Sequence, residues 1–212
     1  AQGLALAVLI SGRGSNMAAI ARACAAGQIA ARIVRVIADR PGAPGIALAR
    51  GFGLEVSTVP AAEFPDRDAF ESALCSTIDA SGAQLVVLAG FMRILSPRFV
   101  AHYAGALLNI HASLLPRYPG LHTHQRALAA GEREHGASVH FVTDALDAGP
   151  VALQARVPVL SGDTIESLSA RVQQQEHMIY PRVIGWIATG RLRWTGNTLQ
   201  LDGQPLPAPG ET

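Results

Sequence analysis

The 212-residue sequence contains no lysine: all 17 of its basic residues are arginine. That absence excludes a P-loop lysine, a lysine Schiff base and a lysine general base. Positive charge for a ligand must come from Arg, His, backbone N–H groups or a helix N-terminus. An excess of either sign is also lacking. The 17 basic residues face 16 acidic ones, a formal net charge of +1, and no basic stripe marks a nucleic-acid surface. No apolar run approaches the roughly 20 residues of a membrane-spanning helix. Cysteine is scarce. Cys24 and Cys75 fall in separate expected helices and form no disulfide framework, which fits a reducing cytoplasm. Ala1–Ile10 lacks a basic start and a cleavage signal, so it reads as a strand rather than a signal peptide.

What is present is an alternation of strand and helix. Leu4–Ile10 and Leu85–Ala89 are continuous apolar runs, the pattern of strands buried on both faces. Ile33–Ala38, Leu54–Val59 and Leu107–His111 complete five expected strands. Helices are expected over Met17–Ala26, ending at Gly27, over Ile46–Arg50, closed by Gly51, and over Asp66–Ala80, ending at Gly82. Such alternation implies a doubly wound, mostly parallel α/β sheet with a Rossmann-like N-terminal half. The length suits one domain. It divides into halves at 1–105 and 106–204, with a loose tail over 205–212.

After His111 the character changes. Ala112–Gly136 carries two prolines, three glycines and His122, His124 and His135, and is expected to be a lid or binding loop. Ser138–Val142 and Val151–Val157 read as strands. Asp163 and Glu166 are spaced as a capping box, Asp163 at N-cap, for a helix from Thr164 to about His177. Pro181 is expected to end or kink it, with a second stretch to about Ala188. Arg191–Leu201 reads as a hairpin turning at Gly196-Asn197.

Three constellations can carry chemistry. Ser11-Gly-Arg-Gly-Ser-Asn16 joins the first strand to the first helix. Its glycines allow close approach to a ligand, and the helix N-terminus suits a phosphate. Ser15 can cap that helix or donate to a phosphate oxygen. Met17 stands where a dinucleotide fingerprint needs its third glycine, so a monophosphate ligand is expected. Asn109 and His111 alternate onto one face at the end of the fifth strand, where an amide and an imidazole can stabilise an oxyanion. Against that stands satisfaction of backbone groups at a strand exit. Asp144, Asp147 and Glu176 form an acid set; Asp147 can orient an imidazole and relay a proton, or serve only as a turn residue. His122, His124 and His140 invite a metal, but no H-E-x-x-H appears and no metal is expected. Gly90–Leu95 follows a strand, and its apolar residues favour a pocket wall for a flat ring.

Ile10–Asn16, Val87–Ser96, Leu108–Pro116, Tyr118–His122, His140–Asp144 and Gln173–His177 together resemble the phosphoribosylglycinamide formyltransferases, folate-dependent enzymes of purine synthesis. The resemblance covers Leu4 to about Pro207. It implies that Gly14, Ser15, Asn16 and Glu176 bind the ribonucleotide. Arg67, Met92, Arg93, Ile94, Leu95, Asn109 and Asp144 would bind the folate, and Asn109, His111 and Asp147 would catalyse. Leu114–Glu134 would be a mobile active-site loop. Two positions depart from the family pattern: Arg13 replaces a small polar residue, and Ala112 the proline after the catalytic His. The implied co-substrate is 10-formyltetrahydrofolate, the reaction attack of the glycinamide amine on its formyl carbon, and the assembly a monomer or homodimer. Formyltetrahydrofolate hydrolase is an alternative that would not need the phosphate turn. Methionyl-tRNA formyltransferase would need tRNA-binding surface and a further domain. A non-catalytic nucleotide-binding module leaves the acid and imidazole set unexplained.

Overall fold

The computed structural model describes residues 3–196 and 198–208. Ala1, Gln2, the expected turn residue Asn197 and 209–212 of the expected tail lie outside the described residues. The strands hydrogen-bond in the order β3-β2-β1-β4-β5-β6-β7, with a separate three-stranded sheet β10-β9-β8. The expected doubly wound, mostly parallel fold with a C-terminal hairpin is what the chain forms. It comprises two compact units, residues 1–108 and 109–212.

In the first unit, β1 (Leu4–Ile10) runs parallel to both β2 (Ala31–Ala38) and β4 (Leu85–Leu88), and β2 pairs in parallel with β3 (Val56–Thr58). Leu6, Leu9 and Ile10 are fully buried, as a strand covered on both faces requires. The chain winds from β1 outward to β3, then returns to place β4 on the other side of β1. That reversal makes a topological switch point between β1 and β4, and the segments leaving these two strands flank its crevice. They are tied together: Ser11 N–H donates to the Gly90 carbonyl at 3.2 Å and Met92 N–H to Ser11 Oγ at 2.9 Å.

Helix α1 is Ser15–Ala25, two residues earlier at its start than expected. Gly14 is its N-cap, so Ser15 is the first helical residue and not the cap. Helix α2 (Gly45–Gly51) runs through Gly51 rather than stopping before it. Helix α3 (Arg67–Ala80) is capped by Asp66, whose carboxylate accepts from Ala69 N–H at 2.8 Å. Helix α4 (Pro97–His102) was not expected, although Ser96 as cap and Pro97 in the first turn are a known start signal.

In the second unit, β6 (Glu134–Phe141) and β7 (Val151–Pro158) pair antiparallel, and α6 (Ile165–Ala188) packs on both. Strand β5 is Leu107–His111. Helix α5 (Thr123–Ala129) lies inside the expected irregular loop, and β6 begins at Glu134. The capping box is Thr164 with Ser167, not Asp163 with Glu166. Asp163 instead takes both arms of the Arg171 guanidinium, at 2.7 and 2.9 Å. Helix α6 continues through Pro181. An interior proline costs about 3 kcal/mol, but Val183 and Ile184 beyond it are fully buried. Burying each contributes roughly 1.5–3 kcal/mol, enough to hold the last turns in place. Strands β8 (Leu192–Trp194) and β9 (Leu199–Leu201) form the expected hairpin. A third strand, β10 (Gln204–Pro205), pairs with β9, so Pro205 belongs to the sheet and not to a tail.

Candidate active site

Each unit carries part of the expected machinery. In the first, Gly14 adopts φ +75°, and a Cβ there would meet Gly45 Cα at 3.1 Å, so the turn needs glycine twice over. The Gly14 carbonyl accepts from Ala18 N–H at 2.9 Å, closing the first helical bond. The N–H groups of Ser15, Asn16 and Met17 therefore stand in the first turn, where an α-helix offers donors and the positive end of its dipole. Asn16 is buried beside them.

The same unit holds a cleft of about 550 Å³ lined by Phe64, Arg67, Phe70, Met92, Arg93 and Leu95, among others. Met92 and Ile94 are 66% and 70% exposed, apolar side chains left without cover on a strand-exit segment. Arg67 opens α3 and lines the cleft together with Arg93, beside the aromatic and aliphatic residues and the acids Asp66 and Glu71. That combination suits a ligand with a flat ring and carboxylates. Arg93 is held in place. Its Nε donates to Asp39 Oδ2 at 2.6 Å, and its guanidinium lies 5.3 Å from the Phe70 ring centroid.

In the second unit, Asn109 and His111 leave β5 on one face, as alternation requires, and Asp147 meets His111. Its Oδ2 lies 3.5 Å from His111 Nδ1, and both side chains are nearly buried, at 9% and 12% exposure. His111 Nε2 donates to the Tyr118 carbonyl at 2.9 Å, and Gly120 N–H donates to Asp147 Oδ2 at 2.9 Å. The main chain at 118–120 thus occupies hydrogen-bonding positions on the imidazole and the carboxylate. His140, on β6, completes the cluster: its Nε2 is 3.2 Å from Asn109 Nδ2 and 3.8 Å from Asp147 Oδ1. Burial pushes the His140 imidazole below its ordinary pKa, against the opposing pull of the Phe141 carbonyl and Asp147.

Asp147 reaches this position because its turn folds back hard on β6. Phe141 N–H donates to the Pro150 carbonyl at 3.0 Å, and a Cβ on Gly149 would lie 1.8 Å from the Phe141 carbonyl oxygen. Asp147 itself adopts φ +49°, a conformation aspartate tolerates better than most residues. Asp144, on the same turn, is exposed, whereas the Asp147 side chain is nearly buried. Glu176 is buried on α6; desolvation, and after it the charge of Glu176, raises the phenol pKa of the fully buried Tyr180.

A family profile described as formyl transferase matches residues 4–184. The chain belongs to the formyl transferase family. Phosphoribosylglycinamide formyltransferase of Escherichia coli (strain K12) is 55% identical over 205 residues, 97% of each chain. The trifunctional purine biosynthetic protein adenosine-3 of Homo sapiens is 39% identical over 188 residues, 89% of this chain and 19% of that one. The solved phosphoribosylglycinamide formyltransferase of Coxiella burnetii superposes with a TM-score of 0.92 at 51% identity, covering 97% of this chain and 96% of that one. This formyltransferase is therefore a transferase enzyme, and its sheet is that of its solved relatives.

Two residues of the formyltransferase have site contacts that the sequence did not assign. Asp39 is a charged residue closing an apolar strand, a signal in itself, yet its partner is 54 positions away. His140 was weighed only as a metal ligand and not as a partner of Asn109; a histidine among buried apolar strand residues was the available sign.

Proposed function

We propose that this chain transfers a formyl group from 10-formyltetrahydrofolate to the amine of phosphoribosylglycinamide, and that its two units serve that reaction as one domain. The observation that carries the reading is the pairing of Asp147 with His111 at the end of β5, with Asn109 joined to the same cluster through His140. The names of the close relatives support the acceptor and the place in purine synthesis. In this reading Gly14, Ser15 and Asn16 hold the ribonucleotide phosphate, and Glu176 its sugar or glycinamide end. The hollow at Arg67, Met92, Arg93, Ile94 and Leu95 takes the folate, with Asp144 nearby in sequence to the catalytic acid.

The chemistry follows from the side chains. The amine nitrogen attacks the formyl carbon, a C–N bond forms, and the carbonyl oxygen gains charge. Asn109 donates an amide N–H to that oxygen, and His111 donates from Nε2 once the Tyr118 carbonyl gives way. Asp147 orients His111 through Nδ1 and supplies its counter-charge. As the tetrahedral carbon collapses, its bond to N10 breaks and the amine proton passes to N10, relayed by Asp147 through water. Loss of one oxyanion donor costs about 3 kcal/mol of barrier. Asn109→Ala and Asp147→Asn are thus expected to lower kcat by roughly a hundredfold or more while the fold remains.

The test is a spectrophotometric assay with 10-formyltetrahydrofolate, with and without phosphoribosylglycinamide. Folate turnover only in the presence of the ribonucleotide is the expected result. Equal turnover without it would make the chain a hydrolase. Binding with no turnover would make it a nucleotide-binding module.

A further inference from the structure

The proposed chemistry gives His140 no part, yet both of its ring nitrogens have partners. Its residue is 2% exposed on β6. Its Nδ1 lies 3.0 Å from the Phe141 carbonyl oxygen, which can only accept, so Nδ1 carries the hydrogen. A neutral imidazole has one donor and one acceptor nitrogen, and the acceptor is then Nε2. The atom it meets is Asn109 Nδ2 at 3.2 Å. One amide hydrogen of Asn109 is thus bound, and the amide cannot turn over without setting its Oδ1 against the Nε2 lone pair.

We propose that His140 is a positioning residue for formyl transfer: its Nε2 lone pair fixes which end of the Asn109 amide faces the reacting carbonyl. The second Nδ2 hydrogen is then the one offered to the developing oxyanion. A free amide would spend part of its time presenting Oδ1, an acceptor that repels negative charge. The charged and titratable groups acting on His140 are Asp147, with Oδ1 at 3.8 Å, and His111. Burial lowers the His140 pKa against the opposing pull of the Phe141 carbonyl and Asp147, which favours the neutral form that the acceptor role needs. The inference rests on the oxyanion role proposed for Asn109.

The test is a double-mutant cycle on the full chain, reading kcat and KM for both substrates. His140→Phe keeps a planar ring without an acceptor. It is expected to lower kcat about tenfold or more, part of the cost of an oxyanion donor, with little change in either KM. His140→Gln, whose Oε1 can accept from Asn109, is expected to recover most of that loss. In an Asn109→Ala background His140→Phe should cost nothing further. Multiplying losses in the double mutant, or a Gln variant as slow as the Phe variant, would overturn the proposal. Asn109→Ala turning over at the wild-type rate would instead remove the role of Asn109 itself, and this inference with it. Nitrogen NMR of the unmutated protein gives a check that needs no variant to fold. His140 should be neutral at neutral pH with its proton on Nδ1, and a proton on Nε2 would refute the proposal.

Discussion

Asp39 shows how one carboxylate can set the aim of an arginine that lines a cleft. It is buried at the end of β2 with its Oδ2 on Arg93 Nε, while Arg93 itself is 41% exposed at the cleft. Asp39→Asn keeps the shape and removes the charge. The expected result is a rise in KM for the folate substrate of about fivefold, roughly 1 kcal/mol, with kcat nearly unchanged. Steady-state kinetics at saturating ribonucleotide checks it. At this scale Asn109 and His111 were legible, because strand alternation puts every second residue on one face. Asp147 was legible only as a turn acid near a motif, since the backbone approach that brings it home is a three-dimensional fact. Asp39 and His140 act on residues 54 and 31 positions away, and no local pattern in one sequence announces such pairs.

Among the elements, the strands were read most easily and the short helices least. A strand buried on both faces needs an apolar run, and Leu4–Ile10 and Leu85–Leu88 are such runs. Helices α4 and α5 have six and seven residues, too few for a helical period to emerge, though Ser96-Pro97 announced the first. The start of α6 was misread by one residue because Asp163, Thr164 and Ser167 all have capping side chains. Ser167 won as the N3 partner, with its Oγ accepting from Thr164 N–H at 2.9 Å and its own N–H donating to Thr164 Oγ1 at 3.1 Å. Thr164→Ala removes that reciprocal pair. It is expected to lower stability by about 1 kcal/mol, measured as a shift in the urea midpoint with an unchanged slope.

For the whole molecule, the doubly wound, mostly parallel class was legible in the alternation of strand and helix, while the order of the strands emerged only in the fold. Acid stability was not legible, because it depends on which histidines become buried. His135 is 2% exposed, and desolvation, followed by the neighbouring His124, pushes its pKa from 6.5 down to about 4. His124 and His140 shift the same way, with burial the leading cause in each. Between pH 6.5 and about 4 the unfolded chain therefore binds protons that the folded chain refuses. Stability rises with pH through that window and is fully present above it. Melting temperatures are expected to fall from pH 7 to pH 5, and His135→Gln should make that decline shallower. A variant whose decline matches the parent's would show that His135 does not drive it.

The contact between Gly149 and the Phe141 carbonyl sets a tolerance for the reaction. Carbonyl and turn meet where a side chain's first carbon would otherwise sit, so the reach of Asp147 toward His111 depends on position 149 carrying no Cβ. Gly149→Ala is expected to push the turn outward and slow catalysis by about a hundredfold, while circular dichroism reports an intact fold. Natural variation that enlarged this one residue would therefore detune the enzyme from a distance, without touching any atom that meets the substrate.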